Sequence, residues 1–146
     1  MIQTMTHITV YVLDQDSAKE FYVNTLGFTL CNDLVMGEGF EGAGQGFRWL
    51  TVSPPQQPDV QFILADTRMG HSGEHSDELR ALVAKGALGP GVLATDDCRR
   101  TYKELSAKGV VFLQEPAERP YGVEATFRDD SGNVYSLTEA LYRVKT

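Results

Sequence analysis

One order of elements occurs twice in this chain, and that repetition restricts the fold more than any other feature of the sequence. The first copy opens at His7-Ile8-Thr9-Val10-Tyr11-Val12-Leu13, whose β-branched and aromatic residues predict a buried strand. A helix is predicted next. Asp14 or Asp16 can cap its first turn, Ala18, Phe21, Tyr22 and Leu26 form an apolar face at spacings of three and four, and Gly27 supplies a left-handed stop. Phe28 to Asp33 reads as a second strand, and Phe47 to Val52 and Val60 to Ala65 as two more, the last pair separated by Pro54-Pro55-Gln56-Gln57-Pro58. The same order restarts at Gly91. Asp97, a helix carrying Thr101 and Leu105, Gly109 and Val110 echo Asp14, the first helix, Gly27 and Phe28, with the second helix one residue shorter. A strand from Val110 to Gln114, a Pro-bounded turn from Glu115 to Pro120, a strand around Val123 to Arg128 and a last strand from Val134 to Thr138 complete the copy.

The repeat predicts an α+β chain of two βαβββ modules, about 5–66 and 89–140, joined by a linker over about 67–88. Within the linker a short helix is expected from Ser76 to Lys85, with Ser76 as its cap and Asp77 and Glu78 in its first turn. Each copy holds only about seventy residues and leaves one sheet face uncovered, so the expectation is a single unit over 1–146, or modules that pair across a dimer. Hydrophobic residues at 42% and charged residues at 23% fit a globular chain. A net charge of −7 repels phosphate backbones and anionic lipid, so neither nucleic acid nor a membrane is expected as a partner. No apolar run approaches the ~20 residues of a membrane span. The N-terminal Met1 to Thr6 lacks the basic-then-apolar order of a signal peptide, so the cytoplasm is the expected location, with Cys31 and Cys98 as thiols.

Two motifs mislead. Gly37-Glu38-Gly39-Phe40-Glu41-Gly42 spells a dinucleotide fingerprint, but no helix pattern follows it, and a hairpin loop able to cover a site is the better reading. His71-Ser72-Gly73-Glu74-His75 spells a zinc-protease motif, yet Gly70 and Gly73 weaken a helix there and a solvated linker is expected. Cys98, at a helix start, is either a thiol acidified by the helix dipole or a small buried residue.

The paired βαβββ copies resemble the vicinal-oxygen-chelate superfamily, which includes glyoxalase I, bleomycin-resistance proteins, fosfomycin-resistance enzymes and extradiol dioxygenases. The residues that carry the resemblance are the strand-opening His7, the helix ending in Phe21-Tyr22 with Leu26-Gly27-Phe28, and the terminal Phe127-Arg128-Asp129-Asp130-Ser131-Gly132-Asn133. It extends from His7 to Glu139 and implies curved mixed sheets that enclose a cup, commonly completed in a homodimer. Metal-using members hold a divalent ion with a His on the first strand of each module and a carboxylate on the last. Carried onto this sequence, those positions fall on His7, on Gly89 or Pro90, on Gln61 and on Ser136, while Glu139 points to the opposite face. One imidazole, one amide and one hydroxyl fall short of a stable Zn²⁺, Fe²⁺ or Ni²⁺ site, so no metal and no cofactor is expected, with His7 hydrogen-bonded at the cup floor.

The function expected is metal-independent binding of an aromatic or cationic small molecule, of the resistance or sequestration type, in an apolar cup with a few polar anchors. Trp49 and Tyr121 would stack on a ring, and His7, Gln61 and Ser136 would orient its polar groups. The alternatives are a lyase, isomerase or dioxygenase using a metal held by His7 with unconventional partners, and an interaction module whose cup is filled by side chains.

Overall fold

A computed structural model of the chain describes residues 1–36 and 47–141; the glycine-rich stretch from Gly37 to Gly46, with its expected loop, lies outside the described residues. Strand β1 (His7–Val12) leads into helix α1 (Gln15–Lys19), which continues as a π-helical segment (Glu20–Thr25). Strands β2 (Thr29–Met36), β3 (Phe47–Ser53) and β4 (Gln61–Asp66) follow, then helix α2 (Gly73–Ala84). The order repeats as β5 (Gly91–Ala94), α3 (Cys98–Ala107), β6 (Val111–Arg119), β7 (Gly122–Arg128) and β8 (Val134–Ala140). Each copy makes its own four-stranded mixed sheet, ordered β1-β4-β3-β2 and β5-β8-β7-β6, with the first strand parallel to the last and the other pairs antiparallel. These are the two βαβββ modules expected from the repeat, and neither sheet closes into a barrel.

Local chemistry explains the helix ends. The Asp14 carboxylate accepts from the Ser17 N–H at 2.9 Å, and Asp97 accepts from Arg100 N–H at 3.0 Å, so both modules use the same cap. Gly27 and Gly109 stop the two helices at φ +78° and +92°. The wide turn is closed by Leu26 N–H on Phe21 O at 2.9 Å, and Phe28 N–H then reaches Tyr22 O at 2.8 Å. Ala18 and Tyr22 bury against one face of the first sheet, beside Val10, Val12, Leu50 and Leu64; Cys98 sits beside Ala125, Phe127 and Leu137 in the same continuous core. Each sheet therefore has a helix-covered face and an open face.

Two sequence expectations need correction. Helix α2 starts at Gly73, capped by Ser72, whose hydroxyl accepts from His75 N–H at 3.2 Å. Ser76 is inside the helix and buried, its hydroxyl 2.8 Å from Thr67 Oγ1. Ser72 offers the same cap chemistry one turn earlier and wins because Ser76 is needed to satisfy Thr67. Strand β6 does not stop at a Pro-bounded turn but runs through Pro116 to Arg119. It is an edge strand with register shifts between Phe112 and Gln114 and between Gln114 and Ala117, so a missing N–H is tolerated.

The modules meet through a buried polar knot. The Tyr22 hydroxyl donates to Asp129 Oδ2 at 2.7 Å and lies 2.8 Å from the Tyr135 hydroxyl. Asp129 Oδ1 accepts the N–H groups of Ser131, Gly132 and Asn133 at 2.8–2.9 Å. Asn133 Nδ2 donates to Asp129 Oδ2 at 2.9 Å and to Tyr11 O at 2.8 Å, and Leu13 N–H donates to Ser131 Oγ at 2.9 Å. Burial pushes the Tyr22 and Tyr135 hydroxyls above the ordinary tyrosine range. Helix α2 is seated on the same turn: at Gly132, φ +126°, a Cβ would stand 2.2 Å from Val83 O, so no other residue fits.

Candidate functional site

Because side chains alternate along a strand, residues that do not reach the helices lie on the open face. In the first module the parallel register sets His7 of β1 against Gln61 of β4. The His7 and Trp49 rings are 5.9 Å apart, tilted by 46°. Gln61 Oε1 accepts from Thr51 Oγ1 at 2.7 Å and from Asn32 Nδ2 at 3.3 Å, and Asn32 Nδ2 also donates to Thr51 Oγ1 at 3.0 Å. That network turns the Gln61 amide oxygen inward and leaves its N–H₂ without a partner among the described residues. His7 Nδ1 is 2.8 Å from Thr6 Oγ1, and its Nε2 is likewise unengaged. His71, expected in a solvated linker, is instead tied down: its Nε2 is 3.0 Å from the Tyr11 hydroxyl, with the two rings 5.4 Å apart. It precedes the cap of α2, so His71 and His75 do not share a helix as the protease motif requires.

The second module presents a different set. Tyr121 and Ser136 converge on one carboxylate that the sequence reading missed, Glu124 of β7. Tyr121 Oη donates to Glu124 Oε1 at 2.8 Å, Ser136 Oγ donates to Glu124 Oε2 at 2.7 Å, and Thr138 Oγ1 is 2.8 Å from Ser136 Oγ. Arg119 Nε is 3.9 Å from the same Oε1. The hydrogen bonds from Ser136 and Tyr121 hold the Glu124 carboxyl below the usual range, so it is ionised at neutral pH. A signal for Glu124 was present: strand period two puts it with Thr126 and Arg128, and the β7–β8 register sets it against Thr138. Glu139 does turn to the helix side, where its Oε1 accepts Cys98 N–H at 2.9 Å. Cys98 is fully buried, and burial raises its pKa, so of its two readings the small buried residue holds.

The register corrects one carried-over position. Opposite Ser136 on the first strand of module two stands Val92; Gly89 and Pro90 precede the strand. Counting back from the cap Asp97 by the spacing of His7 from Asp14 lands on Pro90, whereas Val92 stands two residues nearer to its cap. Neither position brings an imidazole. In module one the His7 partner is a neutral amide whose oxygen already takes two donors, and among the described residues no group of three His, Cys, Asp or Glu side chains is arranged to hold a metal ion. The donor set therefore does not fit a divalent transition metal.

Among the described residues no hydrogen bond, ion pair or ring contact joins the His7–Trp49–Gln61 group to the Tyr121–Glu124–Ser136 group. Both lie among exposed apolar side chains: Leu34 is 54% exposed, Val92 68% and Leu113 56%. A groove of about 950 Å³ lies between Leu26, the Pro54–Gln57 turn and Val92, Leu93 and Leu105 of module two, and none of the five candidate residues lines it. Among the described residues no helix is long and apolar enough to cross a membrane.

Comparison with known proteins agrees with the geometry. The sequence profile of the Glyoxalase/Bleomycin resistance protein/Dioxygenase superfamily matches residues 4–137, and the chain belongs to that superfamily. The crystal structure of UcmS2 superposes with a TM-score of 0.86 at 45% identity, covering 96% of this chain and all of that one. TnmS3, described as an antibiotic binding protein from Streptomyces sp. CB03234, superposes at 0.70 with 32% identity, over 95% of this chain and 97% of its own. The protein YetH of Bacillus subtilis is 30% identical over 95% of this chain and its own full length.

Proposed function

We propose that this chain is a metal-independent binding protein for a small aromatic molecule, using His7, Trp49 and Gln61 on one open face and Tyr121 and Ser136 on the other. The observation that carries this is the His7–Trp49–Gln61 group. A half-buried indole beside an imidazole offers a stacking surface, while the inward-turned Gln61 oxygen leaves amide N–H groups aimed at a ligand rather than at an ion. The similarity to TnmS3 supports a ligand of antibiotic-like size and polarity. A homodimer completes the site: the two groups do not meet in one chain, and the apolar side chains around both need a cover, which a second copy would supply by setting module one of one chain over module two of the other. The free thiols Cys31 and Cys98 suit the cytoplasm.

A screen of planar aromatic compounds, read through Trp49 as the only tryptophan of the chain, tests the proposal. Saturable ligands are expected, with binding, followed by calorimetry in the variants, weakened on Trp49→Ala and on His7→Ala, in a sedimenting dimer free of bound transition metal by elemental analysis. About one ion per chain that disappears on His7→Ala, or a monomer at micromolar concentration that binds no aromatic compound, overturns it.

A further inference from the structure

Glu124 has no part in the candidate set above, yet it organises the hydroxyls of Tyr121, Ser136 and, through Ser136, Thr138 on the open face of the second module. Ser136 has one proton, and it is directed to Glu124 Oε2. In the Ser136–Thr138 pair the donor is therefore Thr138. The Tyr121 proton goes to Glu124 Oε1. The Tyr121 and Ser136 protons thus go to one carboxylate and the Thr138 proton to Ser136, and what these groups keep free is lone pairs: one on Ser136, two on Thr138 and the unused ones of Glu124. Around the Glu124 charge these side chains offer acceptors, while Thr126 and Arg128 put donors on the same face of β7.

Exposure places that charge within reach. The Glu124 side chain is 20% exposed, on the face opposite the buried Val123 and Ala125. Arg119, the cation paired with it among the described residues, is 42% exposed, sits at the end of β6 and stands 3.9 Å from Oε1, too far for a hydrogen bond. Ser136 engages Oε2, the other oxygen. On the first module's open face Gln61 keeps an N–H₂ group without a partner among the described residues.

We infer that Glu124 is a specificity-determining residue of the binding site: it selects aromatic ligands that carry a protonated amine, by accepting a charge-assisted hydrogen bond that a neutral donor makes only in its weaker, uncharged form and an anionic substituent cannot make. This rests on the binding function proposed above and adds the chemical class that the second module admits. An ammonium matches the Glu124 charge and the free lone pairs of Ser136 and Thr138; a carboxylate placed at Glu124 meets charge repulsion.

The test uses the full chain and three matched probes, 2-naphthylmethylamine, 2-naphthylmethanol and 2-naphthoate, titrated by calorimetry at pH 7 and low salt. The amine is expected to bind about tenfold more tightly than the alcohol, with the carboxylate weakest. Glu124→Gln keeps the shape and should abolish the amine's advantage while changing the alcohol less than about twofold; Arg119→Gln, which removes a competing cation, should raise amine affinity severalfold. Should Glu124→Gln fail to fold by circular dichroism, Arg119→Gln decides alone. If amine and alcohol bind equally, or the preference survives Glu124→Gln, or Arg119→Gln leaves amine affinity unchanged, the inference is wrong. In those cases the binding function stands provided Trp49→Ala still weakens all bound probes. If none of the three naphthalenes binds at millimolar concentration, the binding function falls and the inference with it.

Discussion

The junction between the modules and the two open faces are built from the same kinds of side chain, tyrosine, carboxylate, amide and hydroxyl, but they leave those groups in opposite states. At the junction Asp129 accepts five hydrogen bonds, from three backbone N–H groups, Tyr22 and Asn133, and it is 1% exposed. On the open faces Gln61, His7, Ser136 and Glu124 each hold part of their hydrogen-bonding capacity in reserve. Saturation marks groups that fix the fold, because a buried polar atom without a partner costs about 1–3 kcal/mol. Reserve capacity marks groups that can still recognise something. Asp130 crosses this division: it belongs to the junction, yet its buried Oδ1 has no hydrogen-bond partner among the described residues.

The comparison breaks most visibly at Asp129. Asp129→Ala should lower unfolding free energy by about 3–5 kcal/mol, since the buried Tyr22 hydroxyl and three N–H groups lose their acceptor. Urea denaturation measures this, and a change under about 1 kcal/mol would mean the junction is not what holds the modules together. Trp49→Ala should do the opposite. It is expected to weaken ligand binding by roughly 1–3 kcal/mol while costing far less stability than the Asp129 change; a lowered Tm with unaltered affinity would move Trp49 into the structural frame. Tyr22→Phe keeps the ring and deletes the hydroxyl that bridges Asp129 and Tyr135, for an expected loss of about 1–2 kcal/mol in stability and none in binding.

The smallest effect concerns pH. Burial, with the neighbouring Asp129 and Asp14 charges adding and Ser17 opposing, raises the Asp130 carboxyl to about 6 from its ordinary value of 3.8. The folded chain holds this proton more tightly than the unfolded chain, so below the ordinary value the group is neutral in both states and has no effect. Stability then declines as pH rises toward 6, and the full penalty is present above it. Asp130→Asn should remove that decline, measured as the difference in Tm between the two proteins at pH 4 and pH 7. A constant difference across that range would show that Asp130 titrates normally. Glu124 and Asp33 work in the other direction, because hydrogen bonds from their donors lower both carboxyls, so their stabilisation is lost only as acid protonates them.

Much of the frame was legible because it is set locally. Asp14, Asp97, Gly27 and Gly109 each act within one turn of their own position, and their spacing gave both helices and the repeat. What escaped depends on partners far along the chain. The choice of Ser72 over Ser76 is made by Thr67, and the run of β6 through Pro116 by its place at a sheet edge. The wide turn at Glu20–Thr25 leaves no mark in residue type. His7, Trp49 and Gln61, expected together, do lie together on one face, while Tyr121 and Ser136 lie on the other module. Glu124 could be seen only by setting β7 against β8, a register that strand periodicity leaves open.

Helix α2 connects the modules without slack. Its Arg80 donates to Leu13 O at 3.2 Å and its Ser76 holds Thr67, both in or beside module one; its last turn rests on Gly132, and Leu88 O accepts Val134 N–H at 3.0 Å, both in module two. A connector stitched at both ends is a spacer rather than a tether. The bearing of one open face relative to the other is then a property of the single chain, fixed before any second molecule arrives. Docking onto this chain needs no reorientation of its halves, so the entropy lost on association is that of two stiff bodies and little more. A methyl group at position 132 would lever the spacer off its seat and misalign both faces at once, without touching a residue of either.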